Sequence, residues 1–199
     1  MKAVRAVAGC VAALAVVVAC AQVPAQVPLT RTGQLVVAGQ TREFVVRHLP
    51  ISSFPELPAR VAAELLRRGC MIPQTWEAHR PENVVRASLE QPGSQDWAVL
   101  CSVDGNVALL VFLASGGEPV LLARAPETER LRQTGLGNTM GFDWGIDPAT
   151  PEQVHQAQAG LEPRPARLDH DALADSSIER KTIYHFFNHG AWTVLALPE

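Results

Sequence analysis

Four apolar runs separated by turn signals, between Asn83 and Ala125, restrict this chain more than any other stretch. Asn83 to Leu89, Trp97 to Val103, Val107 to Leu113 and Val120 to Ala125 are short and rich in β-branched and apolar residues, as strands are. Gln91-Pro-Gly-Ser-Gln95 and Ala114 to Pro119 carry turn residues, and Asp104-Gly105 is the sequence of a two-residue type I′ hairpin. Consecutive strands joined this tightly predict an antiparallel meander. In the second and third runs both parities are apolar, with Trp97, Val99, Cys101 and Val103 on one face and Ala98 and Leu100 on the other. Strands of that kind lie centrally, covered on both faces.

The cover is legible upstream. Leu57, Val61 and Leu65 recur at helical spacing, Pro58 suits a first turn and Gly69 a stop, so the main helix spans Pro58 to Arg68. Arg67 and Arg68 fall in its last turn, where the helix dipole favours cations. Thr150-Pro151-Glu152-Gln153 has capping-box form and starts a short helix towards Ala159. Gln34 to Val37 and Glu43 to Arg47, with Ala38-Gly39-Gln40 between them, predict a first hairpin or a pair of edge strands. Lys181 to Phe187 and Ala191 to Leu197 flank Asn188-His189-Gly190, read as a three-residue loop that sets Phe187 opposite Ala191 and Phe186 opposite Trp192. Gly135 to Gly141 lacks the spacing of a phosphate loop and reads as a flexible connection. The expected architecture is α+β: one antiparallel meander sheet of about six to eight strands with one main helix packed on it.

Lys2 and Arg5 precede an uncharged apolar run from Ala6 to Ala21, broken by Gln22-Val-Pro-Ala-Gln26, which is the pattern of an export signal. The run is shorter than the roughly 20 residues that cross a bilayer as a helix. Residues 1–21 are therefore expected to be a signal peptide, 22–31 a tether carrying Pro24 and Pro28, and 32–199 a single globular domain. Two processing routes compete. Val17-Val18-Ala19-Cys20 resembles a lipobox, which would leave a lipidated Cys20 as the only membrane attachment. Ala19-Cys20-Ala21 satisfies the small-x-small rule of ordinary cleavage, which would release a soluble chain. Either route gives an extracytoplasmic protein, periplasmic, lipid-anchored or secreted.

Cys10 lies inside the signal, so Cys70 and Cys101 are the cysteines left in the domain, and in an oxidising compartment they read as one disulfide. The bridge would pin the helix end to a central strand and contribute roughly 3–4 kcal/mol; two reduced core cysteines are the alternative. Taking Lys2 and Arg5 from the 17 basic residues, against 20 acidic ones, moves the formal charge from −3 to −5. An acidic domain without a basic run argues against nucleic acid and anionic lipid as partners.

Arg68-Gly69-Cys70-Met-Ile-Pro-Gln74, Asp96-Trp-Ala-Val-Leu-Cys-Ser102 and Ile178-Glu179-Arg180-Lys181, leading into Tyr184, Gly190 and Trp192, follow one another across most of the domain. In this order they resemble a group of uncharacterised exported bacterial proteins. The resemblance implies export and a paired cysteine; the group has no established activity and brings no catalytic residue.

HExxH, GxSxG, CxxC and Walker sequences are all missing, and no cofactor is expected. Trp76 and Trp144 lie in irregular, polar stretches and are expected to be partly exposed as a binding surface. The leading expectation is a non-enzymatic envelope or secreted module that binds a protein or glycan. The alternative is a divalent-metal-dependent hydrolase with ligands among Asp169, His170, Asp171, Asp175 and His185. A calcium loop starting at Asp169 would need Gly and Glu where the chain has Ala174 and Arg180, so an EF-hand is ruled out.

Overall fold

Ala38 and Gly39 both take positive φ, the geometry that lets two strands turn back on each other without splaying. They join β1 (Leu29–Val37) to β2 (Gln40–Leu49) in an antiparallel hairpin longer than the sequence pattern suggested. The computed structural model describes residues 29–135, 137–177 and 182–196. The expected signal, Cys20 and the Ile178-Glu179-Arg180-Lys181 motif lie outside these residues. Residues 29–31, expected to end the tether, belong to β1.

After β2 the chain makes a short 3-10 turn and enters α1 (Ala59–Arg68). Val61 and Leu65 are its buried residues, and Gly69 ends it in the left-handed conformation, its N–H returning to the Leu65 and Leu66 carbonyls. β3 (Ile72–Gln74) then pairs antiparallel with β2. The predicted meander follows as β4 (Val84–Ala87), β5 (Asp96–Val103), β6 (Asn106–Phe112) and β7 (Val120–Pro126), with Asp104-Gly105 as the two-residue turn.

Beyond the meander the fold departs from expectation. The stretch read as a connection, Gly135 to Gly141, is preceded by β8 (Leu131–Gln133) and runs into β9 (Thr139–Phe142), and β9 lies parallel to β2, with Phe44 beside Met140. β10 (Gly145–Ala149), β11 (Ala172–Ser176), β12 (Thr182–Asn188) and β13 (Ala191–Ala196) form a further antiparallel meander. Between β10 and β11 sits α2 (Pro151–Ala157), opened by the Thr150–Gln153 capping box. The described residues therefore form three sheets rather than one: a first sheet in the order β1-β2-β9-β8 with β3 joined to β2, a second of β4 to β7 and a third of β10 to β13.

Burial supplies the reason for three sheets. One face of the second sheet packs on α1: Trp97, Val99, Cys101, Leu110 and Phe112 meet Leu57, Val61, Leu65 and Ile72. The opposite face carries Ala98, Leu100, Leu109 and Val111, which meet Phe44, Val46 and Phe142 of the first sheet and Ile146 and Leu173 of the third. A single helix covers one face only. Leaving Leu100 and Leu109 in water would forgo roughly 1.5–3 kcal/mol each, and the other two sheets supply the missing cover.

The Cys70–Cys101 disulfide forms, with the Cα atoms 5.0 Å apart, and ties the end of α1 to β5. Beside it Met71 and Ser102 exchange both backbone hydrogen bonds. The bond indicates an oxidising, extracytoplasmic setting. Among the described residues no helix is long and apolar enough to cross a membrane.

The closing hairpin corrects the predicted register. His189 and Gly190 both take positive φ and form a two-residue loop, so Asn188 faces Ala191 and Phe187 faces Trp192. The latter rings meet edge-on at 5.6 Å. Phe186 instead faces Thr193 and is buried with Ala149, Val154 and Ala172. A shift of one residue exchanges the two faces of a strand, which is why the predicted Phe186–Trp192 pair does not occur.

Candidate binding site around Trp76

Trp76 follows β3 and lies on the outer face of the first sheet, where Gly141 of β9 stands beside Val45 of β2. A Cβ at Gly141 would sit 2.4 Å from the Trp76 Cβ, so the absence of a side chain there lets the tryptophan close on the strand backbone. The segment is fixed by its hydrogen bonds. Trp76 N–H donates to the Phe142 carbonyl at 2.9 Å, and Arg47 donates to the carbonyls of Thr75 at 3.2 Å and Ala78 at 2.8 Å. Glu82 accepts from the Thr75 N–H at 2.7 Å.

The result is a recess of about 260 Å³ walled by Val45, Trp76, Thr139 and Met140. Trp76 is half-buried, and its indole N–H has no hydrogen-bond partner. Val45 is one of the exposed large apolar residues. Such a recess offers part of an indole ring and a pliable thioether, a combination suited to holding one apolar group of a partner.

Trp144, expected to share this exposure, is wholly buried. Its indole N–H donates to Asp175 Oδ1 at 2.7 Å, and the Arg130 guanidinium lies 4.1 Å from its ring centroid. With its polar edge satisfied by a buried carboxylate, the ring has no reason to reach solvent.

The five residues considered for a divalent ion do not gather. Asp175 pairs with His185 at 3.2 Å inside the core, beside Trp144. His170 bonds Asp169 at 2.7 Å and the Phe187 carbonyl at 2.8 Å. Asp171 accepts from the Ser88 N–H at 3.0 Å, binding the loop before β11 to the end of β4. Among the described residues no three His, Cys, Asp or Glu side chains are placed to hold a metal ion.

A polar cluster that no motif announced lies where the first and second sheets meet. Glu127, buried just after β7, accepts from His48 Nε2 of β2 at 2.6 Å, Ser102 Oγ of β5 at 2.5 Å and Arg31 Nη1 of β1 at 2.9 Å. Burial works to raise the Glu127 carboxyl; the hydrogen bonds from His48 and Ser102 and the charges of His48 and Arg31 outweigh it and hold the group below its ordinary value. The four residues come from four elements, and their sequence separations from Glu127 follow no periodicity, so sequence carries no signal for them.

Comparison of the chain with protein families, with curated proteins and with solved structures finds no match, and the functional reading rests on geometry and chemistry.

Proposed function

We propose that the protein is a non-enzymatic extracytoplasmic module whose partner docks on the outer face of the first sheet around Trp76. The observation that carries this reading is the half-buried tryptophan walling an apolar recess beside the exposed Val45. The preferred partner is an envelope protein inserting one apolar side chain, because the recess walls are mostly apolar and its volume suits one side chain; a glycan stacking on the indole is the second occupant. Tryptophan in such a position is a common energetic centre of interfaces. Residues 1–21 fit this role as an export signal, with Cys20 either lipidated or removed.

The test is crosslinked capture by the tagged mature protein from its own cell envelope, under non-reducing conditions, run beside Trp76→Ala. A stoichiometric protein captured by the wild type and lost with Trp76→Ala supports the reading. Capture unchanged by the substitution overturns it. Loss of signal on glycan-stripped envelopes, with no protein partner, would move the occupant to a glycan.

A further inference from the structure

β1 is an edge strand, and the features that keep other edges of this molecule from pairing are missing from it. Among the described residues, β4 and β8 are four and three residues long, β7 shifts register against β6 and ends on Pro126, and β10 carries Pro148. Short strands, irregular pairing and proline all blunt a sheet edge. β13 is shorter than β1, with six residues. β1 has nine, in unbroken register with β2, with neither proline nor lysine. Its charged residue, Arg31, is drawn to Glu127 at 2.9 Å.

The hairpin turn fixes which backbone groups are free. Ala38 and Gly39 form a two-residue loop, so Val37 and Gln40 exchange hydrogen bonds, and every second residue back along β1 does the same with β2. Leu29, Arg31, Gly33, Leu35 and Val37 therefore bond towards β2. Thr30, Thr32, Gln34 and Val36 turn their N–H and C=O groups away from it, and among the described residues no backbone hydrogen bond from elsewhere meets them. Their side chains are exposed and uncharged.

We propose that this edge pairs antiparallel with the same edge of a second copy of the chain, about a two-fold axis at Gly33. In that register Thr30 of one copy faces Val36 of the other and Thr32 faces Gln34, so all four free residues of each copy are bonded at once. An axis at Thr32 or Gln34 would engage fewer of them. Residues on the axis form a pair without hydrogen bonds, where strands come closest, at about 4.5 Å between Cα atoms. Gly33 puts no side chain there; the Phe44 ring already fills that place, and a Cβ would fall 2.5 Å from its Cε1. The same register sets Leu29, 59% exposed, opposite Val37 of the other copy, and Val36, 71% exposed, opposite Thr30. Both exposed apolar side chains of β1 thus gain a cross-strand neighbour. The Trp76 recess lies further in, on β2 and β9, and pairing at the edge does not use it.

The experiment is sedimentation equilibrium of the mature, unlipidated protein from about 1 µM to about 0.5 mM at physiological salt, where the acidic balance of the chain opposes association only weakly. A reversible monomer–dimer equilibrium with a Kd on the order of 10–100 µM is expected, as for a pairing without a large apolar interface. Thr32→Pro removes an outward N–H without touching a bond to β2, and should weaken the dimer about tenfold or more while urea titration shows a folded protein. Thr32→Lys with Gln34→Lys sets like charges directly opposite each other and should abolish the dimer. Thr32→Glu with Gln34→Lys sets opposite charges there and should pair at least as tightly as the wild type. Amide exchange reads the register: Thr30, Thr32, Gln34 and Val36 should slow as concentration rises, while Gly33 and Leu35, already bonded to β2, change far less. Trp76→Ala should leave the dimer unchanged, which separates self-pairing from partner docking. A monomer at every concentration, a dimer indifferent to the like-charge pair, or four amides already slow in the monomer, the mark of residues before Leu29 folding onto the edge, would each overturn the proposal.

Discussion

The second sheet and the first are built from the same kind of strand and put to opposite uses. In the second, β5 and β6 are buried on both faces, α1 covers one side, and the disulfide joins that helix to β5. Its buried carboxylate, Asp96, is satisfied by neighbours in sequence: the Leu89 and Glu90 N–H groups at 2.8 and 2.9 Å, the Ala114 N–H at 2.7 Å, and the Ser94 hydroxyl. Nothing is left over. The first sheet is assembled from strands far apart in the chain, its outer face is open, and its polar groups are satisfied unevenly. Trp76 keeps an unpartnered indole N–H, and His48 an unpartnered ring nitrogen. Around Asp96 neighbouring donors answer every polar atom and hold the second sheet together, whereas distant side chains answer the buried groups of the first sheet incompletely, on the sheet where the docking face is proposed.

That contrast can be broken by substitutions whose effects should fall on stability in the second sheet and on binding in the first. The largest effect belongs to replacing Cys70 and Cys101 together by Ser, which should lower unfolding free energy by about 3–4 kcal/mol in urea titrations. Asp96→Asn should cost about 2–3 kcal/mol, because an amide N–H₂ cannot accept from the backbone donors now facing the carboxylate. Glu127→Gln should cost about 2 kcal/mol near neutral pH, with a distinctive pH signature. A carboxyl held below its unfolded value of about 4.3 contributes stability that is fully present above that value and lost as pH falls through its folded value. Between about pH 5 and pH 3 the wild type should therefore lose more stability than Glu127→Gln does, measured by urea titration at each pH. Gly141→Ala should cost about 1–3 kcal/mol, since the added methyl meets Trp76 at its Cβ rather than at a pliable tip, and tryptophan fluorescence should shift as the indole is pushed outward. Val45→Ser, at an exposed position, should change stability by no more than about 0.5 kcal/mol and still weaken partner capture.

Legibility follows the same division. The meander of β4 to β7 was readable because each strand pairs with the next and Asp104-Gly105 fixes the turn between β5 and β6. Helix α1 was readable from the spacing of its two buried residues and Gly69. Of the first sheet the β1–β2 hairpin is legible; the rest is hidden because β2 meets β9 across most of the domain, β3 and β8 are three residues long, and Gly141 makes a strand look like a connection. Trp76 and Trp144 looked alike in sequence; what separates them is Asp175, which accepts from Trp144 and has no counterpart at Trp76. The last hairpin turns through two residues rather than three because a non-glycine, His189, occupies the left-handed region that the pattern assigns to glycine alone.

The central claim is that the outer face of the first sheet, and not the stapled second sheet, meets the partner. Val45 and Leu121 are both exposed, one on each sheet, and a photocrosslinking residue placed at either in turn tests the claim in the native envelope. A covalent adduct from position 45 and none from position 121 is the predicted result; an adduct from position 121 alone, or equally from both, would contradict it.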